Sequence, residues 1–152
     1  MASPSSAFAH RRNSVPNLLG RGVKYPLQSS ETGGFLMVEG EECVKDSIRS
    51  ILETGIHERP FQVRLGVPFG TRIPYYQFDS VERLQDLVVH EVERALEVWE
   101  PRILVLRVEL IEYLPGASHD PRYLGIRVVY RLRATNRSDN LVVLVPRRGT
   151  TT

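Results

Sequence analysis

From Glu41 onward, apolar residues recur at the helical period. Val44, Ile48, Ile51 and Leu52 fall at i, i+4, i+7 and i+8, and Glu41 and Glu42 occupy a first turn where the helix dipole favours negative charge. Gly55 is the expected C′ residue. A longer pattern follows. Asp79 is placed to cap it, with Glu82 three residues on, and Val81, Leu84, Leu87, Val88, Val92, Ala95, Leu96 and Trp99 make one apolar face. About 20 residues of this kind predict a helix about 30 Å long.

Beyond Trp99 the period changes to two. Leu104, Leu106, Val108 and Leu110 alternate with Val105, Arg107, Glu109 and Ile111, which predicts a strand with the first set facing inward. Leu124, Ile126, Val128, Tyr130 and Leu132 repeat the pattern against Tyr123, Arg127, Val129, Arg131 and Arg133. Residues 115–121 carry the Gly and Pro of a wide hairpin turn between them. After a polar turn at 136–140, Leu141, Val142, Val143, Leu144 and Val145 form a third antiparallel strand. The expected fold is α+β: two main helices packed on one face of a C-terminal antiparallel β-meander.

The remaining stretches are weaker in pattern. Residues 1–19, rich in Ser, Pro, Ala and Asn, read as a flexible arm, or as one that orders on a partner through Val15, Leu18 and Leu19. The folded domain is expected to span 20–146, with a charged tail at 147–152. Residues 35–38 and 61–65 are short strand candidates. Residues 67–78, with Pro68, Pro74, Gly70, Phe69, Tyr75 and Tyr76, suit an irregular segment pinned by its rings.

The junction between the two periods is the most informative point. Pro101 cannot donate a backbone hydrogen bond and disfavours helix at Glu100, so the long helix must end there. Extended geometry then puts Glu100 and Arg102 on the same side of the chain. Trp99, the single tryptophan, is expected to anchor the junction in the core.

Composition removes several function classes. Twenty basic against eighteen acidic residues leave a formal charge of +2, too balanced to recruit nucleic acid by bulk electrostatics. Arg127, Arg131 and Arg133, with Arg107 opposite, make a local basic stripe. Without interleaved aromatics it reads as a solvated or protein-docking face rather than a nucleic-acid site. One cysteine, Cys43, allows neither an intrachain disulfide nor a multi-cysteine zinc site, and lies without a histidine at helical spacing. His57-Glu58 lacks the second histidine of a zincin, and Gly20-Arg21-Gly22 lacks the pattern of a dinucleotide loop. No metal, cofactor or small-molecule substrate is therefore expected. No apolar run approaches the roughly 20 residues that span a bilayer, nor is there a signal-peptide core, so cytoplasmic residence is the expectation.

Five groups of residues, taken in order, carry a resemblance. They are Gly20-Arg21-Gly22 through Tyr25-Pro26; Ile48-Arg49, Ile51-Leu52 and Thr54; the His57-Glu58-Arg59 loop closed by Leu65-Gly66; Trp99-Glu100-Pro101-Arg102-Ile103; and Tyr130. As a set this resembles the baseplate-wedge family of contractile phage tails, with relatives in type VI secretion baseplates and extracellular contractile injection systems. The Glu-Pro-Arg signature after a tryptophan is its most specific part. His57 stands where the family usually has glycine, and the arm at 1–19 lies outside the match.

The resemblance implies a non-enzymatic structural subunit that docks on the larger wedge proteins and initiates the sheath by strand exchange. Trp99, Glu100, Pro101, Arg102, Glu58 and Arg59 become partner-docking residues, and Leu141 to Val145 the strand that pairs with sheath. The chain would be assembled in the cytoplasm and end in a virion or injection particle. The alternative is a lysozyme-like peptidoglycan hydrolase, since members of this family have been described as lysozyme-like. Glycoside hydrolysis needs two carboxylates about 5–10 Å apart, one of them protonated. The candidates, Glu58 and Glu100, each have an arginine nearby, Arg59 or Arg102, which favours the ionised form.

Overall fold

The structure, a computed structural model, describes residues 18–76, 81–111 and 122–146. The proposed capping residue Asp79, the side chain of Glu82, the loop at 115–121, the tail at 147–152 and all but the end of the N-terminal arm lie outside what is described. Three strands, β5 (Ile103–Ile111), β6 (Tyr123–Leu132) and β7 (Ser138–Pro146), form an antiparallel sheet in the order β5-β6-β7. Two helices, α1 (Gly40–Glu53) and α2 (Val81–Trp99), pack on it, α2 chiefly against β5 and α1 against β7. This is the α+β arrangement that the two periodicities predict.

Among the described side chains, the helix faces follow the sequence pattern except at Leu87. Val44, Ile48, Ile51 and Leu52 of α1 are buried, as are Leu84, Val88, Val92, Ala95 and Leu96 of α2. Burial of such aliphatic side chains stabilises the fold by about 1.5–3 kcal/mol each. Leu87, expected on the same face, is 45% exposed because it lies at the margin of the stripe. Polar ties fix α1 to the start of β7: Lys45 pairs with Asp139 at 2.8 Å and Arg137 with Glu41 at 2.9 Å. Hydrogen bonding from Lys45 holds the Asp139 carboxyl below its usual range.

Gly55 does not end α1 as a left-handed C′ residue. Thr54 is the C-cap in an extended conformation, and Thr71 from a distant loop satisfies the helix end instead. Its hydroxyl donates to the Leu52 carbonyl at 3.2 Å and its amide to the Thr54 carbonyl at 2.9 Å. Gly55 is required for close approach: a Cβ there would stand 2.4 Å from the Tyr75 hydroxyl.

Strand β6 alternates as expected, with Ile126, Val128, Tyr130 and Leu132 buried. Burial pushes the Tyr130 phenol pKa up. Strand β5 departs from the expected phase. Its register slips between Val105, opposite Tyr130, and Arg107, opposite Val129, so Leu106 is an extra residue in a β-bulge. Ile103 is buried and Val105 partly so, Leu106 and Arg107 both face out, and Val108 is buried again. Leu104 and Leu106, predicted inward, are each 43% exposed. A bulge inserts one residue and so exchanges the two faces of everything on one side of it.

Two small ribbons complete the architecture. β1 (Arg21–Val23) pairs with β2 (Met37–Glu39), one residue beyond the expected 35–38 strand. The expected strand at 61–65 contracts to β3 (Val63–Arg64), paired with β4 (Val67–Pro68). Gln62 instead closes a turn, its amide donating to the Arg59 carbonyl at 3.1 Å. Leu65 (φ 51°) and Gly66 (φ 75°) make the two-residue connection, both in the left-handed region that such hairpins demand. Residues 67–76 are otherwise irregular apart from a short 3-10 turn at Ile73–Tyr75. Phe69 and Tyr76 pack on the core, but Tyr75 is substantially exposed.

Candidate functional site

Helix α2 ends where Pro101 predicts, with the Glu100 amide still donating to Leu96 at 2.8 Å. The chain turns, and the Ile103 amide reaches back to the Glu100 carbonyl. This places the Glu100 side chain inside, 1% exposed, and Arg102 beside it. Arg102 grips both carboxylate oxygens, through Nε and through Nη2, at 2.5 Å each. Such a bidentate fork satisfies geometry and charge together. The Glu100 carboxylate accordingly drives the Arg102 pKa up.

The third arm of Arg102 reaches elsewhere. Its Nη1 donates to the Leu19 carbonyl at 2.5 Å and contacts the Cys43 sulfur at 3.6 Å. One guanidinium therefore joins the end of α2, the entry of the chain into the fold, and α1. Arg133, one residue beyond β6, fastens the same corner: its amide donates to the Arg102 carbonyl and its Nε to the Ile103 carbonyl. Arg133 thus belongs to the corner rather than to a free basic stripe. On the sheet surface, Glu109 lies 2.6 Å from Arg107 and 3.6 Å from Arg127, its cross-strand neighbour, so part of that stripe is neutralised as well.

The second predicted cluster joins the first through a residue the sequence did not single out for this role. Trp99 is partly buried; its Nε1 donates to the Pro68 carbonyl at 3.1 Å, and its ring meets Phe69 edge-on at 5.1 Å. Over Phe69, 4.5 Å from the ring centre, sits the Arg59 guanidinium, which also reaches Ser50 Oγ. Arg59, Phe69 and Arg102 then line a groove of about 600 Å³ with Arg21, Lys24, Tyr25 and α1 residues including Cys43 and Asp46. Pro101, Glu58 and Arg59 are exposed, and Arg102 is 30% exposed at its side chain.

Asp46 organises the groove wall and was not legible beforehand. Nearly fully buried, it accepts from the Tyr25 amide at 3.1 Å, from Lys24 at 3.0 Å and from Arg49 at 3.0 Å. Hydrogen bonds to Glu42 and Asp46 raise the Lys24 pKa. Tyr25 donates to Glu53 at 3.0 Å. Burial, reinforced by that carboxylate, pushes the phenol up to about 12, and burial raises the Glu53 pKa too.

Leu141 to Val145 occupy β7, away from this corner along the sheet. Leu132 pairs with Ile103 beside the corner, whereas Leu141 and Val145 pair with Val128 and Leu124, about 13 to 26 Å farther along the strand. Among the described residues, β7 pairs with β6 on one side and with no strand on the other. No cluster of residues suited to a metal ion occurs among the described residues, nor any helix long and apolar enough to cross a membrane.

Residues 38–137 match the family model of baseplate wedge protein gp25. A crystal structure from Geobacter sulfurreducens, provisionally named a tail lysozyme, is 32% identical with a TM-score of 0.59, covering 72% of this chain and 93% of its own. A chain in the cryo-EM structure of the anti-feeding prophage (AFP) baseplate has the same fold, at 19% identity and a TM-score of 0.51, over 88% of this chain and 90% of its own. No curated protein matches the chain.

Proposed function

The chain belongs to the baseplate wedge protein gp25 family, and on that premise we propose that it is a non-enzymatic subunit that docks on the wedge core and initiates the sheath by strand exchange. Its partners are then the larger wedge proteins and the sheath protein. Assembly takes place in the cytoplasm, and the finished chain resides in a phage virion or injection particle.

One observation supports the docking half above others. The Glu100–Arg102 fork fixes the corner from within, while Pro101, Arg59, Glu58 and part of Arg102 remain on the outside. Trp99, partly buried, braces this surface through its edge-on contact with Phe69. A docking surface held by buried pairs arrives preformed, which spares the ordering cost of binding.

The sheath half draws on the two edges of the sheet. β5 carries a bulge at Leu106, which spoils the regular ladder an added strand would need. β7 runs nine residues in unbroken register with β6, so its outer edge offers evenly placed donors and acceptors for β-augmentation. Arg127 and Arg131 on the neighbouring strand would draw in an acidic sheath segment.

The hydrolase reading fares worse. Glu100 is buried under a guanidinium fork, and the groove holds one carboxylate, Asp46, already engaged by two cations and an amide. Neither belongs to a pair of carboxylates facing each other across an open cleft, which glycoside hydrolysis uses.

The test is assembly of the complete set of baseplate, tube and sheath proteins with and without this chain. Omission should leave baseplates that carry no ordered sheath. Normal sheath in its absence would reject the proposal.

A further inference from the structure

The β3–β4 hairpin exposes three large apolar side chains that the fold does not use. Phe61 is 98% exposed, Leu65 85% and Val63 59%. They stand at alternate positions at the start of a hairpin too short to bury them against itself. Its base, by contrast, is fixed. The Phe69 amide donates to the Gln62 carbonyl at 2.8 Å, Pro68 accepts from Trp99, and Arg59 caps the Phe69 ring. The result is an apolar tip on a rigid stem, rooted in the corner that carries Trp99 and Arg102. Leu65 holds a left-handed conformation at the summit, a strained backbone for a residue other than glycine. Exposed apolar groups presented together mark an interaction surface.

Charge selects the occupant. Between Pro60 and Phe69 the only charged side chain is Arg64, which is exposed, and Arg59 flanks the base. The complement is an apolar cleft with carboxylates on its rim. The groove of a second copy does not fit, because Arg21, Lys24, Arg59 and Arg102 line it and would face Arg64 with like charge. We propose that the 60–69 hairpin is a knob inserted into an acidic-rimmed apolar cleft of another baseplate protein, with Phe61 and Leu65 as anchors and Arg64 meeting the rim. This rests on the baseplate reading above and adds to it a second contact, beside the Glu-Pro-Arg corner.

The experiment uses the assembly system already described, with variants of the full chain added back. Phe61→Ser with Leu65→Ser should keep the melting temperature of the wild type, since both residues are solvent-exposed, yet lower recovery in baseplates by about tenfold or more. Arg64→Glu should lower recovery at physiological salt, and less so at high salt. A photo-crosslinking phenylalanine analogue at position 61 should join a segment of another baseplate protein that contains apolar residues and Asp or Glu. Wild-type recovery by the double-serine variant, or a crosslink to sheath or to a second copy, overturns the knob while leaving the baseplate reading intact. If omission of the whole chain has no effect on assembly, both fall together.

Discussion

Arg102 donates to both carboxylate oxygens of Glu100, whose side chain is almost wholly buried. The pair therefore shapes the molecule before it meets any partner. Arg102→Ala leaves a buried carboxylate uncompensated and also removes the Nη1 hydrogen bond to the Leu19 carbonyl. It should cost roughly 3 kcal/mol, the lower end for a broken buried pair, because Arg102 is partly solvated. Arg102→Lys keeps the charge but not the fork and should fall between. Chemical denaturation of the isolated domain measures both. A fully stable Arg102→Ala domain that fails only in assembly would assign the residue wholly to docking.

Alkaline pH should loosen the segment that closes the groove. An unfolded tyrosine ionises near pH 10, whereas Tyr25 keeps its proton in the fold until about 12. Between those values unfolding releases a proton, so stability falls as pH rises. Lys24, with its pKa raised by Glu42 and Asp46, acts in the same sense: its contribution is complete below the unfolded lysine value and vanishes as pH passes the folded one. Urea midpoints should drop between about pH 10 and pH 12. The drop should be shallower in Tyr25→Phe, with the residual slope due to Lys24, the partly buried Tyr76 and the buried Tyr130.

Proline can separate the two edges of β7. Adjacent residues of a strand point their amides to opposite sides, so one of Val142→Pro and Val143→Pro removes a donor to β6 and the other a donor to the open edge. The first should unfold the domain. The second should leave it folded, with a modest loss of stability, and abolish sheath initiation. Circular dichroism paired with the sheath assay distinguishes them, and normal sheath formation by the folded variant would rule out strand exchange at this edge.

The purified chain should show no peptidoglycan turnover, because Glu100 lies buried beneath the Arg102 fork and the groove presents one carboxylate, Asp46, instead of a facing pair. Turbidity loss of a cell-wall suspension, compared with buffer, is the measurement. Activity that disappears in Glu58→Gln or Glu100→Gln would show the opposite.

Local pattern reached the two helices, β6, β7 and the bend at Pro101, because each is decided by periodicity or by a single imino residue. The Glu100–Arg102 pairing was expected from extended geometry, but the structure makes it across a turn closed by the Ile103 amide on the Glu100 carbonyl. What escaped depends on contacts distant in sequence. The bulge at Leu106 is invisible in a run of alternating aliphatics; only the facing strand reveals that Val105 and Val108, not Leu106, face inward. Gly55 looked like a helix stop, and its true constraint is the Tyr75 hydroxyl twenty residues away in the chain. The Arg59–Phe69–Trp99 stack unites a loop, an irregular segment and a helix end. Asp46 had a cue in Arg49 three positions on, but nothing local announced the Tyr25 amide.

The irregularity in β5 has a bearing on what copies of the chain do to one another in a crowded cell. A sheet with two clean edges can add copies at both and grow into a fibre without end. Among the described residues, β7 is the one unbroken edge of the three-stranded sheet, so two copies that met through it would use up that edge in each. Self-association by this route closes at a pair instead of propagating into a fibre.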